Sequence, residues 1–224
     1  QACPGATVVS LETKPRAGWA GHITDQWLAD LRLAGVAVAA DVPARVTLAF
    51  DQAERLAWRA VLQRHVATAG RAIVVIHPGS GGLAKCWPLE SFMALADALR
   101  QSELEPVYLV GPVELERFGR RWVDRLKEYG PVIEGTDAVE SAGLIAAADL
   151  FVGNDSGVSH IAAAVETPTV ALFGPTDPAL WRPLGNEVTV LRGAGSEDDP
   201  FAGLDVATVH RAAVDLLDVP DRPA

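Results

Sequence analysis

A glycine-rich segment at residues 77–85 has the composition of a phosphate-binding loop. It follows a β-branched run at residues 73–76 and contains three glycines, a serine and a lysine. Successive backbone N–H groups in such a loop can hold phosphate oxygens, and a lysine adds a mobile positive charge. The segment therefore predicts a site for a phosphorylated ligand. Its candidate binding residues are Gly79, Ser80, Gly81 and Lys85.

A second segment, residues 149–178, predicts a matching anion site. It reads as a short apolar strand, a sharp turn, a small-residue helix, a second strand and a second turn. The first N–H groups of a helix lack partners within the helix, so they can point at an anion. In an open α/β sheet, both turns would lie at the carboxyl ends of strands, where ligands bind. The candidate residues here are Asp155, Ser156, Gly157, His160 and Thr176.

Glu114 is a candidate for binding a ribose. It follows a strand predicted at residues 106–110 and the turn at residues 111–112. A carboxylate at this place can accept bonds from both ribose hydroxyl groups, as an acidic residue does in dinucleotide sites. Glu116 is the alternate, and Glu114 could instead be only a favourable charge at a helix start.

The other candidates also have interpretations that need no ligand. Asp155 and Ser156 could simply cap their helix, and His160 could pack in the core. Lys85 could be a solvated surface lysine, and residues 79–82 could form an ordinary loop. Two familiar motifs are excluded: no Gly-Lys-Ser/Thr of a Walker loop occurs, and the glycine spacing does not fit the dinucleotide fingerprint.

The elements that must position these residues alternate between strand and helix. Strands are predicted at residues 73–77, 106–110, 132–134, 150–153, 169–173 and 188–191. Helices are predicted at residues 88–101, 113–129, 139–147, 156–165 and 206–217. This alternation is typical of an α/β fold, with a Rossmann-like parallel sheet and helices on both faces.

The first third of the chain is less regular. The patterns there predict a short strand at residues 7–11, a loop at 13–21, a helix at 23–33 that Gly35 ends, a linker at 36–50 that ends in a short strand, and a helix at 52–67 that Asp51 caps. We therefore predict two parts, residues 1–66 and residues 67–224. The second part is the ligand-binding domain.

Composition limits the classes of protein to which the chain can belong. It has 224 residues and a formal net charge of −10, which argues against binding to nucleic acid or to an anionic membrane surface. No apolar run approaches the ~20 residues of a membrane span. Cys3 and Cys86 are too few for a disulfide framework and have no metal-ligand spacing, so reduced thiols and a cytoplasmic location are expected. The first residue is Gln1 rather than methionine, which suggests a fragment or a processed product.

The two candidate segments resemble glycosyltransferase family 9, the bacterial heptosyltransferases of lipopolysaccharide synthesis. That family carries Asp-Ser/Thr-Gly, a histidine three residues on, an alanine-rich helix and Gly-Pro-Thr. The matching positions are residues 155–157, His160, residues 162–164 and residues 174–176. The family also shows His-Pro-Gly/Ala-Ser/Thr, a lysine and Trp-Pro, which match residues 77–80, Lys85 and residues 87–88.

The resemblance implies the donor-binding, C-terminal domain of a GT-B type glycosyltransferase, preceded by a partial N-terminal segment. Residues 1–66 would be the remnant of the acceptor-side domain and a linker. The implied reaction is an inverting transfer from a nucleoside diphosphate sugar, with ADP-heptose the favoured donor. The implied acceptor is a growing lipopolysaccharide or a similar surface glycan. No cofactor is implied.

The resemblance does not extend to the catalytic base. The family's opening strand and Gly-Asp loop, which carry the catalytic aspartate, have no match here. The catalytic residues therefore stay unassigned, and Asp25 and His22 are substitutes that lie in no recognisable site.

Metal-independent stabilisation of the leaving group is expected. Many sugar transferases hold a metal ion with Asp-x-Asp, and no two aspartates of this chain are separated by one residue. The acidic run at residues 197–199 is interpreted as a solvated loop rather than a metal site. Trp87 and Trp181 are interpreted as packing residues rather than sugar platforms.

Two partners and two rival functions follow from this interpretation. The partners are the donor and a glycan or glycolipid acceptor, through which the protein could associate peripherally with a membrane. Trp19, Trp27 and Leu31 would be partly uncovered, so self-association through the N-terminal segment is also expected. The rivals are a catalytically inactive nucleotide-sugar-binding module of the same fold and a sugar-nucleotide epimerase.

Overall fold

Six parallel strands form the centre of the protein. The computed structural model describes residues 8–39 and 45–217. The strands are β1 (Ile73–His77), β2 (Glu105–Val110), β3 (Val132–Glu134), β4 (Leu150–Asn154), β5 (Thr169–Phe173) and β6 (Val188–Arg192). The helices are α1 (Ile23–Leu33), α2 (Gln52–Gln63), α3 (Leu89–Gln101), α4 (Pro112–Phe118), α5 (Arg120–Tyr129), α6 (Ala138–Ala146), α7 (Gly157–Ala164), α8 (Pro178–Trp181) and α9 (Val206–Leu217). A single 3₁₀ turn, Leu83–Lys85, lies between β1 and α3.

The strand order places the two candidate segments side by side. The sheet runs β3-β2-β1-β4-β5-β6, and all of its pairs are parallel. The chain moves outward in one direction from β1 and in the other direction from β4, so these two neighbours form the topological switch point. His77, the last residue of β1, pairs with Gly153 near the end of β4. The loops after both strands therefore open at the place where such sheets bind ligands.

Helices cover both faces of the sheet, as the alternating pattern predicts. On one face, Val74, Ile76 and Val152 pack with buried side chains of α3 and α9. On the other face, Val75 and Phe151 pack with buried side chains of α2, α6 and α7. Strands that are buried on both faces read as continuous apolar runs, which explains the composition of β1 and β5.

Helix α2 packs directly on this core. Arg55 and Arg59 of α2 donate hydrogen bonds to the carbonyl oxygens of Ala146 and Ala147 at the end of α6, where cations are favoured. The ring of Trp58 lies so close to Gly143 that an added Cβ would come within 2.2 Å of it. The boundary between residues 1–66 and 67–224 stays a prediction. Within the described residues, no helix is long and apolar enough to cross a membrane.

Several predicted elements are wrong in extent or absent. The helix predicted at residues 113–129 is two helices, because Gly119 adopts a φ of +76° that ends α4. The predicted strand at residues 7–11 begins outside the described residues, and residues 8–11 form no strand. Residues 45–50 likewise form no strand, and α2 ends at Gln63 rather than at residue 67. The other predicted strands and helices are confirmed within one or two residues at each end, while the short helix α8 was not predicted.

Candidate functional site

Asn154 fastens the two candidate loops together. Its side-chain NH₂ donates to the carbonyl oxygens of Pro78 and Gly79, at 2.9 and 3.2 Å. Its Oδ1 accepts the Trp87 N–H at 2.9 Å, and the residue is fully buried. One buried amide therefore fixes the path of the loop after β1 relative to the end of β4.

A buried carboxylate organises the next layer of the site. Asp155 Oδ2 accepts hydrogen bonds from Lys85 Nζ and from Thr176 Oγ1, each at 2.7 Å. Ser80 Oγ donates to the carbonyl oxygen of Asp155 at 2.9 Å. Four of the predicted site residues thus lie in one cluster, although they are spread over nearly one hundred positions of the chain.

The interpretation of Asp155 as a helix cap is wrong. The N-cap residue that precedes α7 is Ser156, and neither side chain makes a capping hydrogen bond to the helix. Lys85 is not a free surface lysine either, because its ammonium group is held by Asp155 and its side chain is 36% exposed.

An open cavity of about 360 Å³ lies against this cluster. Ser80 and Gly81 contribute to it from the loop after β1, and Ser156 and Gly157 contribute from the start of α7. Ser156 Oγ is buried and has no hydrogen-bond partner, which is unusual for a hydroxyl group. A Cβ added at Gly157 would meet no atom within 4 Å, so the amino end of α7 has room for a bulky group.

Glu114 lies on the opposite wall of the same cavity and is 5% exposed. Its Oε2 accepts the Gly111 N–H at 3.0 Å, so it does serve the start of α4, as the alternative interpretation expected. Burial raises the pKa of Glu114, but the nearby His77 and the N–H groups of Glu114 and Gly111 lower it more. The pKa therefore lies below its ordinary value, which keeps the carboxylate charged. Glu116, the alternate, is exposed and does not line this cavity.

His160 is turned away from that cavity and is exposed, so the packed-core interpretation is wrong. It lines a second, mainly apolar cavity of about 420 Å³ together with Trp27 and Trp181. Desolvation lowers the pKa of His160, Asp155 acts against that shift, and the positive charges of His22 and Lys85 add to it. His160 therefore belongs electrostatically to the Lys85–Asp155 cluster while facing the other side of α7.

Several of the remaining interpretations can be compared with the structure. Trp87 is 2% exposed and donates to the carbonyl oxygen of Leu204, so it is a packing residue as predicted. Residues 197–199 are exposed. Across residues 8–39 and 45–217, no group of three or more His, Cys, Asp or Glu side chains could hold a metal ion.

The structure also identifies contributors that the sequence did not. In the sequence, Asn154 belongs only to the turn predicted after the strand at residues 150–153, and Arg117 is not among the candidates. Arg117 donates to the carbonyl oxygen of Gly81, at the rim of the site. The sequence signal that could have indicated Arg117 is its position three residues after Glu114 on the same short helix. Cys86 beside this loop is a free thiol, and burial raises its pKa to about 11, whereas Cys3 lies outside the described residues.

Neither substitute base lines the cavity of about 360 Å³, although His22 lines the cavity of about 420 Å³ together with His160. His22 is the N-cap residue of α1, and its two ring nitrogens contact Thr24 Oγ1 at 2.8 Å and the Arg182 carbonyl oxygen at 2.9 Å. Asp25 is exposed in the first turn of α1. The base therefore stays unassigned.

Comparison with known proteins agrees with this geometry. The family model of glycosyltransferase family 9 (heptosyltransferase) matches residues 5–202. Lipopolysaccharide heptosyltransferase 3 of Escherichia coli is 38% identical over 125 residues, which are 54% of this chain and 37% of that protein. The chain thus spans little more than a third of this curated relative.

Two solved structures from E. coli share the fold. The structure of ADP-heptose lps heptosyltransferase II is similar with a TM-score of 0.65 and 26% identity, over 76% of this chain and 53% of that one. Heptosyltransferase WaaC with ADP is similar with a TM-score of 0.57 and 25% identity, over 70% of this chain and 48% of that one. With a family model matched over most of its length and a GT-B type sheet, this chain belongs to glycosyltransferase family 9.

Proposed function

We propose that the protein binds a nucleoside diphosphate sugar at the switch point between β1 and β4, and that this donor is ADP-heptose. The observation that carries the proposal is that Ser80, Gly81 and the amino end of α7 line one cavity, and that Ser80 contacts Asp155, which holds the ammonium group of Lys85. The similarity to ADP-heptose lps heptosyltransferase II and to heptosyltransferase WaaC with ADP supports the choice of nucleotide.

Each wall of the cavity would receive a different part of the donor. The diphosphate would lie against the N–H groups of Gly79, Gly81 and Gly157, with Lys85 supplying positive charge. The unpartnered hydroxyl of Ser156 would gain a hydrogen bond from the ligand. Glu114 would accept bonds from the ribose hydroxyl groups, because its charged carboxylate lies on the opposite wall.

In this proposal Asp155 orients other hydrogen-bond donors and does not itself bind the hydroxyl groups of the sugar. Its Oδ2 is occupied by Lys85 and Thr176, so its main role is to aim those two donors. His160, on the far side of α7, would contact the sugar end of the donor, and Thr176 would contact the same end.

The chemistry proposed is an inverting, metal-independent transfer of heptose to a lipopolysaccharide acceptor. As the bond to the sugar breaks, negative charge develops on the departing diphosphate. Donors fixed in advance around that charge lower the barrier, because they need no reorganisation during the reaction. The base that takes the acceptor's proton is not assigned. A glycolipid acceptor, contact with a membrane through that acceptor, and a cytoplasmic location belong to the same proposal.

The test first measures binding of the donor and then measures transfer of the sugar. ADP and ADP-heptose are titrated calorimetrically into the protein, and acceptor-dependent release of ADP is then followed with a lipopolysaccharide core acceptor. Binding of both ligands with acceptor-dependent release supports the proposal. Binding without release indicates an inactive nucleotide-sugar-binding module, and a rearranged sugar in the absence of acceptor indicates an epimerase. A folded protein that binds neither ligand would refute it.

A further inference from the structure

His77 and Glu114 form a buried pair, and the proposed function gives a role to Glu114 alone. His77 ends β1 and is 2% exposed, while Glu114 lies on α4 and is 5% exposed. His77 Nε2 is 3.6 Å from Glu114 Oε1, which is within ion-pair distance but too long for a hydrogen bond. Both residues line the cavity that would hold the nucleotide.

Glu114 is constrained from three sides. Gly111 N–H holds Oε2, His77 faces Oε1, and the backbone of Gly79 lies beneath the side chain. The last contact is so close that a Cβ at Gly79 would lie 2.3 Å from Glu114 Cγ and 2.4 Å from Oε1. These three neighbours restrict the orientation of the carboxylate.

His77 itself is incompletely bonded. Its Nδ1 is buried without a hydrogen-bond partner, and the same is true of Ser156 Oγ on the wall of the same cavity. Buried polar atoms are nearly always paired, so two unpaired atoms around one cavity indicate a ligand that supplies their partners. A histidine that served only packing would not need its ring nitrogens at this place.

We infer that His77 is a positioning residue that fixes the Glu114 carboxylate for recognition of the ribose diol of a nucleotide. The inference rests on the proposed function, since it assigns the specificity of the same site. His77 Nε2 faces the Glu114 carboxylate and therefore carries the ring hydrogen. That hydrogen points at Oε1, orients the carboxylate and favours its charged form. The site would then distinguish a ribonucleotide from one that lacks the 2′ and 3′ hydroxyl groups. Without His77, Oε1 would lose the group that faces it, and the carboxylate could rotate away from the diol.

The test compares the affinities of ADP and 2′,3′-dideoxy-ADP, measured by calorimetric titration. The wild-type protein should prefer ADP by about tenfold or more, the scale expected for hydrogen bonds to a charged group. His77→Leu and His77→Asn should reduce this preference to within about twofold, because Leu has no donor and the Asn amide is too short to reach Glu114. His77→Gln should recover much of it, since its amide reaches about as far as Nε2.

Two controls separate positioning from a general loss of structure. Glu114→Gln should lose the same preference as His77→Leu, and the double variant should lose no more than either single one. Ile76→Val, a buried neighbour on β1 outside the site, should lower the unfolding temperature without changing the preference.

The outcomes distinguish this inference from the proposal beneath it. A folded wild-type protein that does not bind ADP would refute the proposed function. A wild-type protein that binds ADP but shows no preference, or His77→Leu and His77→Asn variants that keep the full preference, would overturn the role of His77 alone. A preference that Gln restores and Leu and Asn remove supports the inference.

Discussion

Lys85 Nζ and Asp155 Oδ2 lie 2.7 Å apart, and this ion pair joins the loop after β1 to the end of β4 across the topological switch point. Asp155 is 4% exposed, whereas Lys85 reaches it from a partly open position. A buried anion that holds a half-exposed cation sets the direction of the positive charge before any ligand arrives. The pair thus converts two separate sequence motifs into one preorganised site.

The first prediction concerns the charge of Lys85. Lys85→Ala should weaken ADP binding by about 1.5–3 kcal/mol, the scale of a charge-assisted hydrogen bond. Lys85→Gln should recover little, because the positive charge is the important property. Calorimetric titration measures both, with Lys127→Ala as the matched control, since that lysine pairs with Glu134 and does not line the cavity. Equal affinities of Lys85→Ala and the wild-type protein would place Lys85 outside the site.

The second prediction concerns the sign of the effect of Asp155. In the wild-type background, Asp155→Asn should weaken ADP binding, because Lys85 loses the charged acceptor that aims it, whereas the Asn amide oxygen can still accept from Thr176. In a Lys85→Ala background, the same change should strengthen binding or leave it unchanged, since what it then removes is the repulsion between the carboxylate and the diphosphate. The difference between the two effects should be about 0.5–3 kcal/mol, as for residues in contact. Equal weakening in both backgrounds would show that Asp155 acts independently of Lys85.

The third prediction concerns the close contact between Gly79 and Glu114. Gly79→Ala should displace the Glu114 side chain, lower the unfolding temperature and weaken ADP binding, because the added Cβ would lie 2.3 Å from Glu114 Cγ. Gly81→Ala is the folding control, since its Cβ would meet no atom within 4 Å, and its unfolding temperature should match the wild type. Thermal unfolding and titration of both variants test this. An unchanged unfolding temperature and affinity for Gly79→Ala would mean that the Glu114 side chain can move aside without loss of stability or binding.

Much of the fold could be predicted from the sequence because each buried parallel strand has a recognisable local pattern of residues. β1 and β5 are apolar on both faces, and each is bounded by turn residues, so periodicity and length suffice. The break between α4 and α5 could not be found in the same way. Gly119 ends a helix only because its φ is positive, and the surrounding residues carry good helical spacing.

The candidate site could be predicted as a set of residues but not as a geometry. Glycine and helix-start chemistry indicated the two loops, since those signals lie within a few residues. The sequence could not indicate that Asp155 binds Lys85 rather than capping α7, because this choice depends on a contact between residues seventy positions apart. For the same reason, His160 was expected on the side of the helix that faces the nucleotide cavity, and it faces the other side.

The fourth prediction is that ADP binding does not need a divalent metal ion. Lys85 and the backbone N–H groups of the two loops would supply the positive potential that a metal supplies elsewhere. The affinity for ADP should therefore be the same in EDTA and in magnesium or manganese, at constant ionic strength. Titration in each buffer measures it, with Lys85→Ala as a companion that is weakened equally in all three. An affinity that collapses in EDTA and returns with the metal would contradict this prediction.

The last prediction uses the lowered pKa of His160. Desolvation keeps this imidazole neutral to a lower pH than usual, although Asp155 opposes the shift. A bound diphosphate would add negative charge near His160 and raise its pKa, so binding would take up a proton. Linkage then requires that lowering the pH strengthens binding, most clearly below the ordinary histidine pKa of about 6.5.

The affinity for ADP should therefore rise more steeply between pH 7 and pH 5 in the wild-type protein than in His160→Gln. Titration of the nucleotide's own phosphate contributes equally to both proteins, so the difference between their slopes isolates His160. The direct measurement is calorimetry in two buffers of different ionisation enthalpy, which counts the protons taken up on binding. Equal proton uptake by the two proteins would place His160 beyond the reach of the diphosphate's charge, and its contact with the donor would have to be abandoned.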